Sequence, residues 1–274
     1  MSILTALSPT DIDWEYPQDA VQAQNFVLLL EETRRQLDAY SAVTCSQRML
    51  LTVAVPAGAT NYQKLLMSQM DRYLDFWNLM AYDFAGAWDA NSGNSANIFP
   101  SASNPTCTPF NADAAVKAYI AGGVAPNKII LGMPLYGRAF ENTNGPGTTY
   151  SGTGEGSWES GIWDYKALPH TGASEANDAQ LISSYSYNSA THKMISYDTP
   201  TISALKTNYI KQNCLGGGMW WELSGDHPIS NPRSLVCTTV NNLGGVEALD
   251  QSMNQLDYPQ SKYDNLRVGM LNDC

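Results

Sequence analysis

Between residues 11 and 17 the chain reads DIDWEYP, with acids at every second position and large apolar side chains between them. In a strand this alternation sends Asp11, Asp13 and Glu15 to one face and Ile12 and Trp14 to the other. The next pattern has a different period. Across DAVQAQNFVLLLEETRRQLDAY, Phe26, Leu29, Leu30, Thr33, Leu37 and Tyr40 fall on one helical face. Glu31 and Arg35 stand four apart outside it, as an ion pair along a helix would. LLTVAVPA (50–57) is a continuous apolar run rich in Val, the pattern of a strand covered on both faces in a parallel sheet. A short helix is expected in YQKLLMSQM, and DFWNLMAYDF (75–84) predicts another buried strand. After a loop rich in Ser, Asn and Pro (87–111), NADAAVKAYIAGG predicts a helix with Asn111 as N-cap and glycines at its end. KIILGMPLYGR (128–138) is a third strand of the same kind.

Residues 139–197 break this rhythm with glycine-rich turns and aromatics such as Tyr150, Trp158, Trp163, Tyr165, Tyr185 and Tyr187, and are read as an inserted small α+β unit. The rhythm returns with DTPTISALKTNYIKQN, where Pro200 suits a first helical turn and Ile202, Leu205 and Tyr209 share a face. LGGGMWWEL (215–223) is the last strand and NPRSLVCTTVNNLG the last helix. Alternating strands and helices predict an α/β fold, a parallel sheet wrapped by helices, with five strands present. In a (β/α)8 barrel the working residues sit at the C-terminal ends of the strands, which here read DWE, AYD, YGR and WWE. Parity pairs Met80 with Tyr82, Tyr136 with Arg138, and Met219 with Trp221.

Composition narrows the function. With 43% hydrophobic and 15% charged residues in a chain of 274, the protein is globular and long enough for a substantial core, as one domain with an insertion or as two. A net charge of −11 and no basic run exclude a nucleic-acid backbone or an anionic membrane as partner. Seven Trp and 15 Tyr suit the stacking of sugar rings, and equally a large core. Cys45, Cys107, Cys214, Cys237 and Cys274 are widely spaced, without CxxC, and indicate neither a zinc knuckle nor a disulfide framework. His170, His192 and His227 are too scattered to suggest a triad or metal site. No apolar run reaches the ~20 residues that span a bilayer. The opening MSILTALSPT has no basic start and too short an apolar stretch for a secretory signal.

The alternating acids admit three readings: a solvent-facing edge strand, a hard-cation site for magnesium or calcium, or catalytic carboxylates. Neighbouring acids on one strand face lie roughly 6.6 Å apart, close enough for one charge to disfavour the next. Ile12 and Trp14 demand burial, and a helix follows rather than a turn and a second strand, which favours the catalytic reading.

Taken together, these strand ends resemble the chitinases of glycoside hydrolase family 18, in wording most like fungal secreted endochitinases. The family signature DGxDxDxE matches its last five positions at Asp11 to Glu15, MxYD matches Met80 to Asp83, and YGR matches Tyr136 to Arg138. GGxMxW matches Gly217, Gly218, Met219 and Trp221, and the ending LDYPQSKYDNLRVGM is similar to that of the fungal enzymes. The resemblance runs from about Asp11 to about Met270 and carries four motifs in order. At the front, Ser8 and Pro9 stand where the family has Asp-Gly, and Pro9 cannot donate to a sheet ladder.

In that family DIDWE ends the fourth strand, so the resemblance implies strands four to eight of the barrel. Three strands and their helices, roughly 90 residues, would be missing, and a truncated chain or mispredicted gene start is the expectation. The implied organisation is a non-matching segment at 1–10, a barrel portion at 11–138 and 198–274, and the α+β insertion at 139–197. The implied activity is retaining hydrolysis of β-1,4-linked N-acetylglucosamine polymers, with the substrate's own acetamido oxygen as nucleophile. Glu15 would be the acid and base, Asp13 would hold the acetamido N–H, Asp11 would share a proton with Asp13, and Tyr82 would bond the acetamido carbonyl. Trp221 would floor the sugar pocket, with Met80, Asp83, Tyr136 and Arg138 around it. No cofactor, metal or obligate protein partner is implied; the partner is chitin or chito-oligosaccharides, and the location extracellular. A chitin-binding lectin on the same fold and an inactive fragment are the alternatives.

Overall fold

A computed structural model of the chain describes residues 10–252 and 261–267. In chain order it begins with β1 (Thr10–Asp13), α1 (Ala20–Thr44), β2 (Leu51–Pro56), the single turns α2 (Ala59–Tyr62) and α3 (Met67–Met70), and β3 (Phe76–Met80). There follow α4 (Ala112–Ala121), β4 (Ile129–Pro134), β5 (Tyr136–Phe140), β6 (Ile162–Asp164), β7 (Ser174–Asp178), β8 (Ser183–Asn188) and β9 (Lys193–Ser196). The chain continues through α5 (Pro200–Gln212), β10 (Gly217–Trp221), α6 (Leu235–Leu243) and α7 (Asp264–Arg267).

Five strands make a parallel sheet in the order β1-β2-β3-β4-β10. Register assigns its faces, because partners across a parallel ladder point the same way. Asp11 lies beside Thr52, Asp13 beside Ala54, Ala54 beside Asn78, Pro56 beside Met80, and Gly132 beside Met219. Those residues form one face, which is open. Val53, Val55, Trp77, Leu79, Leu131 and Met133 form the other and are buried beneath the helices, with Ile12 and Trp14 packed against the same core. Trp14 meets Phe26 of α1 with ring centroids 5.3 Å apart. The alternation in DIDWE is therefore a division between helix layer and open face.

The caps follow from the sequence. Asn111 accepts a hydrogen bond from the Ala114 N–H, and Thr199, just ahead of Pro200, accepts one from Ile202. In α1 the N-cap is Asp19, and the buried stripe is Ala23, Phe26, Val27, Leu30, Arg34, Leu37 and Ser41. Leu29, expected on that stripe, is exposed. Arg34 takes a place there with its charge paired, donating from Nη1 to the Met49 carbonyl at 2.7 Å and lying 2.6 Å from the Asp38 carboxylate, while its Nε has no hydrogen-bond partner. Arg35 pairs with Glu32 rather than Glu31. Of the helix expected in YQKLLMSQM only the last four residues, α3, are helical beyond Tyr62, where the preceding turn α2 ends.

The expected strand at 128–138 is two strands belonging to different sheets. β4 ends at Pro134, and β5 opens a five-stranded antiparallel sheet of order β6-β5-β9-β8-β7. Leu135 is the junction: its N–H donates to the Trp221 carbonyl in the parallel sheet, and its carbonyl accepts from Tyr165 N–H on the other side. Residues 139–197 contain strands and one 3-10 turn and no α-helix, so the helical half of the expected α+β unit is absent. Segments such as SSYSYN (183–188) have strand period with Ser inward, and glycine turns leave no stretch for a helical stripe. Leu135, Ala139, Tyr165, Leu168, Ile195, Tyr197 and Leu235 form its own smaller core. Cys45, Cys107, Cys214 and Cys237 are free thiols. Cys274, residues 1–9 and most of the LDYPQSKYDNLRVGM ending lie outside the described residues. Among the described residues no helix is long and apolar enough to cross a membrane.

Candidate active site

The open face of the parallel sheet and the edge of the antiparallel sheet enclose a cavity of about 740 Å³. Asp11, Asp13, Glu15, Met80, Tyr82, Asp83, Tyr136, Arg138 and Trp221 all line it. Every residue singled out at a strand end thus arrives at one place, drawn from β1, β3, β5 and β10 or the residues directly after them.

The three acids are held differently. Asp11 Oδ1 accepts from Thr52 Oγ1 at 2.5 Å and from Asn78 Nδ2 at 3.0 Å, two donors reaching across from β2 and β3. Asp13 is raised from its ordinary value, first by partial burial, then by the charges of Glu15, just past the strand, and of Asp11. Glu15 is exposed to the cavity just beyond the strand. The Tyr82 phenol is pushed up by burial and then by the charges of Asp83, Asp13 and Glu15, so it keeps its proton and stays a donor. Tyr16 is shifted the same way, by burial and then by its hydrogen bond to Glu15.

Opposite the acids, Asp83 follows β3 in the left-handed conformation (φ 59°), which Asp tolerates better than most side chains. Its Oδ1 accepts from the Tyr136 hydroxyl and from Arg138 Nε, both at 2.6 Å. Burial opposes the charge of Arg138, but the bond to Asp83 outweighs it and holds the guanidinium protonated. Arg138 also lies over the Trp88 ring, 4.7 Å from its centroid. Tyr82 and Tyr136 meet edge to face at 6.2 Å. Beneath them, a Cβ on Gly132 would stand 2.4 Å from the Leu79 carbonyl oxygen and 2.9 Å from Tyr82, so only glycine fits under that ring. The Glu15–Tyr16 and Trp221–Glu222 peptides are cis.

Some lining residues are not evident from the strand ends. Asn78, and Thr52, which holds Asp11 without itself lining the cavity, had a signal, being polar residues inside apolar strands at the parity of the open face. Trp158, Glu159 and Ile162 come from the loop before β6 and its first residue, and Asn61 and Phe110 from other loops, where no period marks them. Among the described residues no group of three or more His, Cys, Asp or Glu is arranged to hold a metal ion.

The arrangement can do acid and base chemistry: a carboxyl open to a cavity, a second carboxyl raised by burial and by its neighbouring acids, and a phenol donor, between walls rich in aromatic rings. Comparison with known proteins agrees with it. The model of glycosyl hydrolases family 18 matches residues 8–226. Chitinase 1 of Aphanocladium album is 50% identical over 261 residues, which are 95% of this chain and 60% of that protein. The chain therefore spans 60% of the length of that relative. The catalytic domain of a psychrophilic chitinase B from Arthrobacter TAD20 matches with a TM-score of 0.77 at 32% identity, over 89% of this chain and 59% of that one. A family 18 chitinase from Cycas revoluta in complex with (GlcNAc)3 matches with a TM-score of 0.74 at 28% identity, over 85% of this chain and 67% of that one. A TIM-barrel-like α/β fold, a line of carboxylates on its open face and a family match over most of the chain lead to one assignment: the chain belongs to the glycosyl hydrolases of family 18.

Proposed function

We propose that the protein hydrolyses β-1,4-linked N-acetylglucosamine polymers with retention of anomeric configuration. The observation that carries this reading is the row Asp11, Asp13, Glu15 opening into one cavity with the Tyr82 hydroxyl. Glu15 protonates the departing glycosidic oxygen and then takes a proton from the incoming water. The substrate's acetamido carbonyl oxygen attacks the anomeric carbon, and the oxazolinium so formed is opened by that water. Asp13 holds the acetamido N–H and balances the positive charge, and Asp11, behind it on the same strand face, shares a proton with it. Tyr82 donates to the acetamido carbonyl. Trp221 lies under the scissile sugar, with Met80, Asp83, Tyr136 and Arg138 binding around it.

The sheet order β1-β2-β3-β4-β10 supports reading these strands as the fourth to eighth of the barrel, with 11–138 and 198–274 as its barrel portion. The inserted unit, drawn at 139–197, has a sheet that starts at Tyr136. An extracellular site of action belongs to the same reading, since the polymer is too large to enter a cell. A second reading, sugar binding without turnover, is favoured by Trp221, whose side chain is 57% exposed instead of enclosed. Release of a fluorophore from a chitobiose or chitotriose glycoside separates the two. Turnover that falls by about 10²- to 10⁴-fold in Glu15→Gln, with unchanged circular dichroism, supports hydrolysis; retention on chitin without release from the folded chain supports binding alone.

A further inference from the structure

Methionine is distributed unevenly with respect to solvent. Of the 10 in the chain, Met1, Met253 and Met270 lie outside the described residues. Met49, Met67, Met70, Met133 and Met194 are buried. Among the described residues only Met80 and Met219 are partly exposed, and both line the cavity that holds Asp13 and Glu15. Met80 ends β3, two residues before Tyr82, and its register with Pro56 puts it on the open face. Met219 lies in β10 opposite Gly132 of β4. A Cβ on Gly132 would stand 3.2 Å from Met219 Cε and 2.9 Å from the Tyr82 ring. The thioether end of Met219 and the edge of that ring therefore share the space over this glycine. None of Cys45, Cys107, Cys214 and Cys237 lines the cavity.

A thioether is a soft, polarizable nucleophile that needs no deprotonation, so access decides which methionine a peroxide reaches. The sulfur lone pair attacks one oxygen of hydrogen peroxide, the O–O bond breaks and an S–O bond forms. The sulfur-bound oxygen passes its proton to the departing hydroxide, which leaves as water. Sulfur is oxidised by two electrons and the peroxide is reduced. We propose that Met80 and Met219 are an oxidation site for hydroperoxides, and that their sulfoxides reversibly shut down the cleft. Each sulfoxide puts a polar, chiral group where an apolar side chain stood. At Met219 the added oxygen enters the space beside Tyr82 and offers its phenol an acceptor that competes with the acetamido carbonyl. The shutdown rests on the proposed function; the modification does not.

The test treats the full chain, its thiols first capped with iodoacetamide, with hydrogen peroxide, and follows it by peptide mass mapping and by fluorophore release from the chitobiose glycoside. Met80 and Met219 are expected to gain one oxygen each before any of the five buried methionines does, with turnover lost in step. Methionine sulfoxide reductases A and B, one for each sulfoxide epimer, are expected to restore both the unmodified peptides and the turnover. Met80→Leu with Met219→Leu, which conserves volume, is expected to keep under peroxide whatever turnover it starts with. Oxidation of the buried five as fast as of Met80 and Met219 overturns the site. Unchanged turnover with both sulfoxides in place, or loss of turnover in the double variant as fast as in the parent, overturns the shutdown. A chain with no turnover before peroxide sinks the proposed hydrolysis and the shutdown with it, while the peptide map still decides the modification.

Discussion

Asp11 and Asp13 sit on the same strand face with different partners, and the difference sets what each can do. Asp11 is gripped through one oxygen by Thr52 and Asn78, whose donors hold the carboxylate in place and leave the other oxygen for its neighbour. Replacing both donors with apolar residues, Thr52→Val and Asn78→Leu, is expected to lower turnover of the chitobiose glycoside by about 10²-fold, the cost of misplacing a group by roughly 1 Å. Thr52→Ser keeps a hydroxyl and is expected to restore most of what Thr52→Val loses. Equal activity in all of these variants would show that the two donors serve only packing. Asp13 is governed by its surroundings rather than by donors: burial and two adjacent acids raise it from 3.8. Between that value and the raised one the folded state binds more protons than the unfolded chain, so stability falls as pH rises through the window. Asp13→Asn removes the fall. Its melting temperature is expected to exceed the parent's at pH 7, with the gap closing by about pH 3, where Asp13 is protonated in both states; thermal melts at both pH values decide it, and a constant gap would contradict the assignment.

At the scale of elements, a fully buried ion pair ties the segment after β9 to α5. Asp198, two residues past the end of β9, receives Lys206 Nζ from the second turn of α5 at 2.6 Å, with side chains only 3% and 1% exposed. Burial pushes Asp198 up and Lys206 down, and each charge is held by the other. Lys206→Met therefore strands a buried carboxylate and is expected to cost about 3–5 kcal/mol, whereas Lys206→Met with Asp198→Leu is expected to be close to neutral. Denaturant unfolding of the single and double variants measures both. Nothing in the sequence announced this pair, because eight residues separate its members and neither belongs to a motif. Elements with local signals were legible: Asn111 and the Thr199-Pro200 pair marked helix starts, and the 2-residue period of DIDWE assigned its faces. Leu135 was not, since an apolar residue between Pro134 and Tyr136 continues the strand pattern even though the chain changes sheets there. The stripe of α1 slipped at Leu29 for a related reason: Leu28, Leu29 and Leu30 are consecutive, so hydrophobicity alone cannot choose among them, and the buried position went to Arg34 through its bonds to Met49 and Asp38. The site was legible wherever it was built from strand ends and hidden wherever it came from the loop at 157–161.

For the molecule as a whole, the parallel sheet has two edge strands, β1 and β10, and an acid-lined open face between them. Edge strands invite pairing with another chain, and natural proteins counter this with charge. Here the counterweight is global: a net charge of −11 keeps copies apart at neutral pH. The residues that follow β10 in the chain include two exposed apolar side chains, Leu223 and Ile229. As pH falls toward the sequence pI of 4.6 the repulsion vanishes while the edge and these apolar side chains remain. Light scattering of the chain is therefore expected to be low at pH 7 and to rise steeply near pH 4.6. Two changes separate the causes. If repulsion alone sets the onset, salt at pH 7 brings association forward, because screening shortens the reach of surface charge to about 3 Å at 1 M. If the β10 edge is where copies meet, Leu223→Lys with Ile229→Lys suppresses the acid-induced rise by more than the same two charges placed at Val21 and Val43 on exposed positions of α1. Equal suppression by both pairs would mean that net charge governs association and that the open sheet edge is silent.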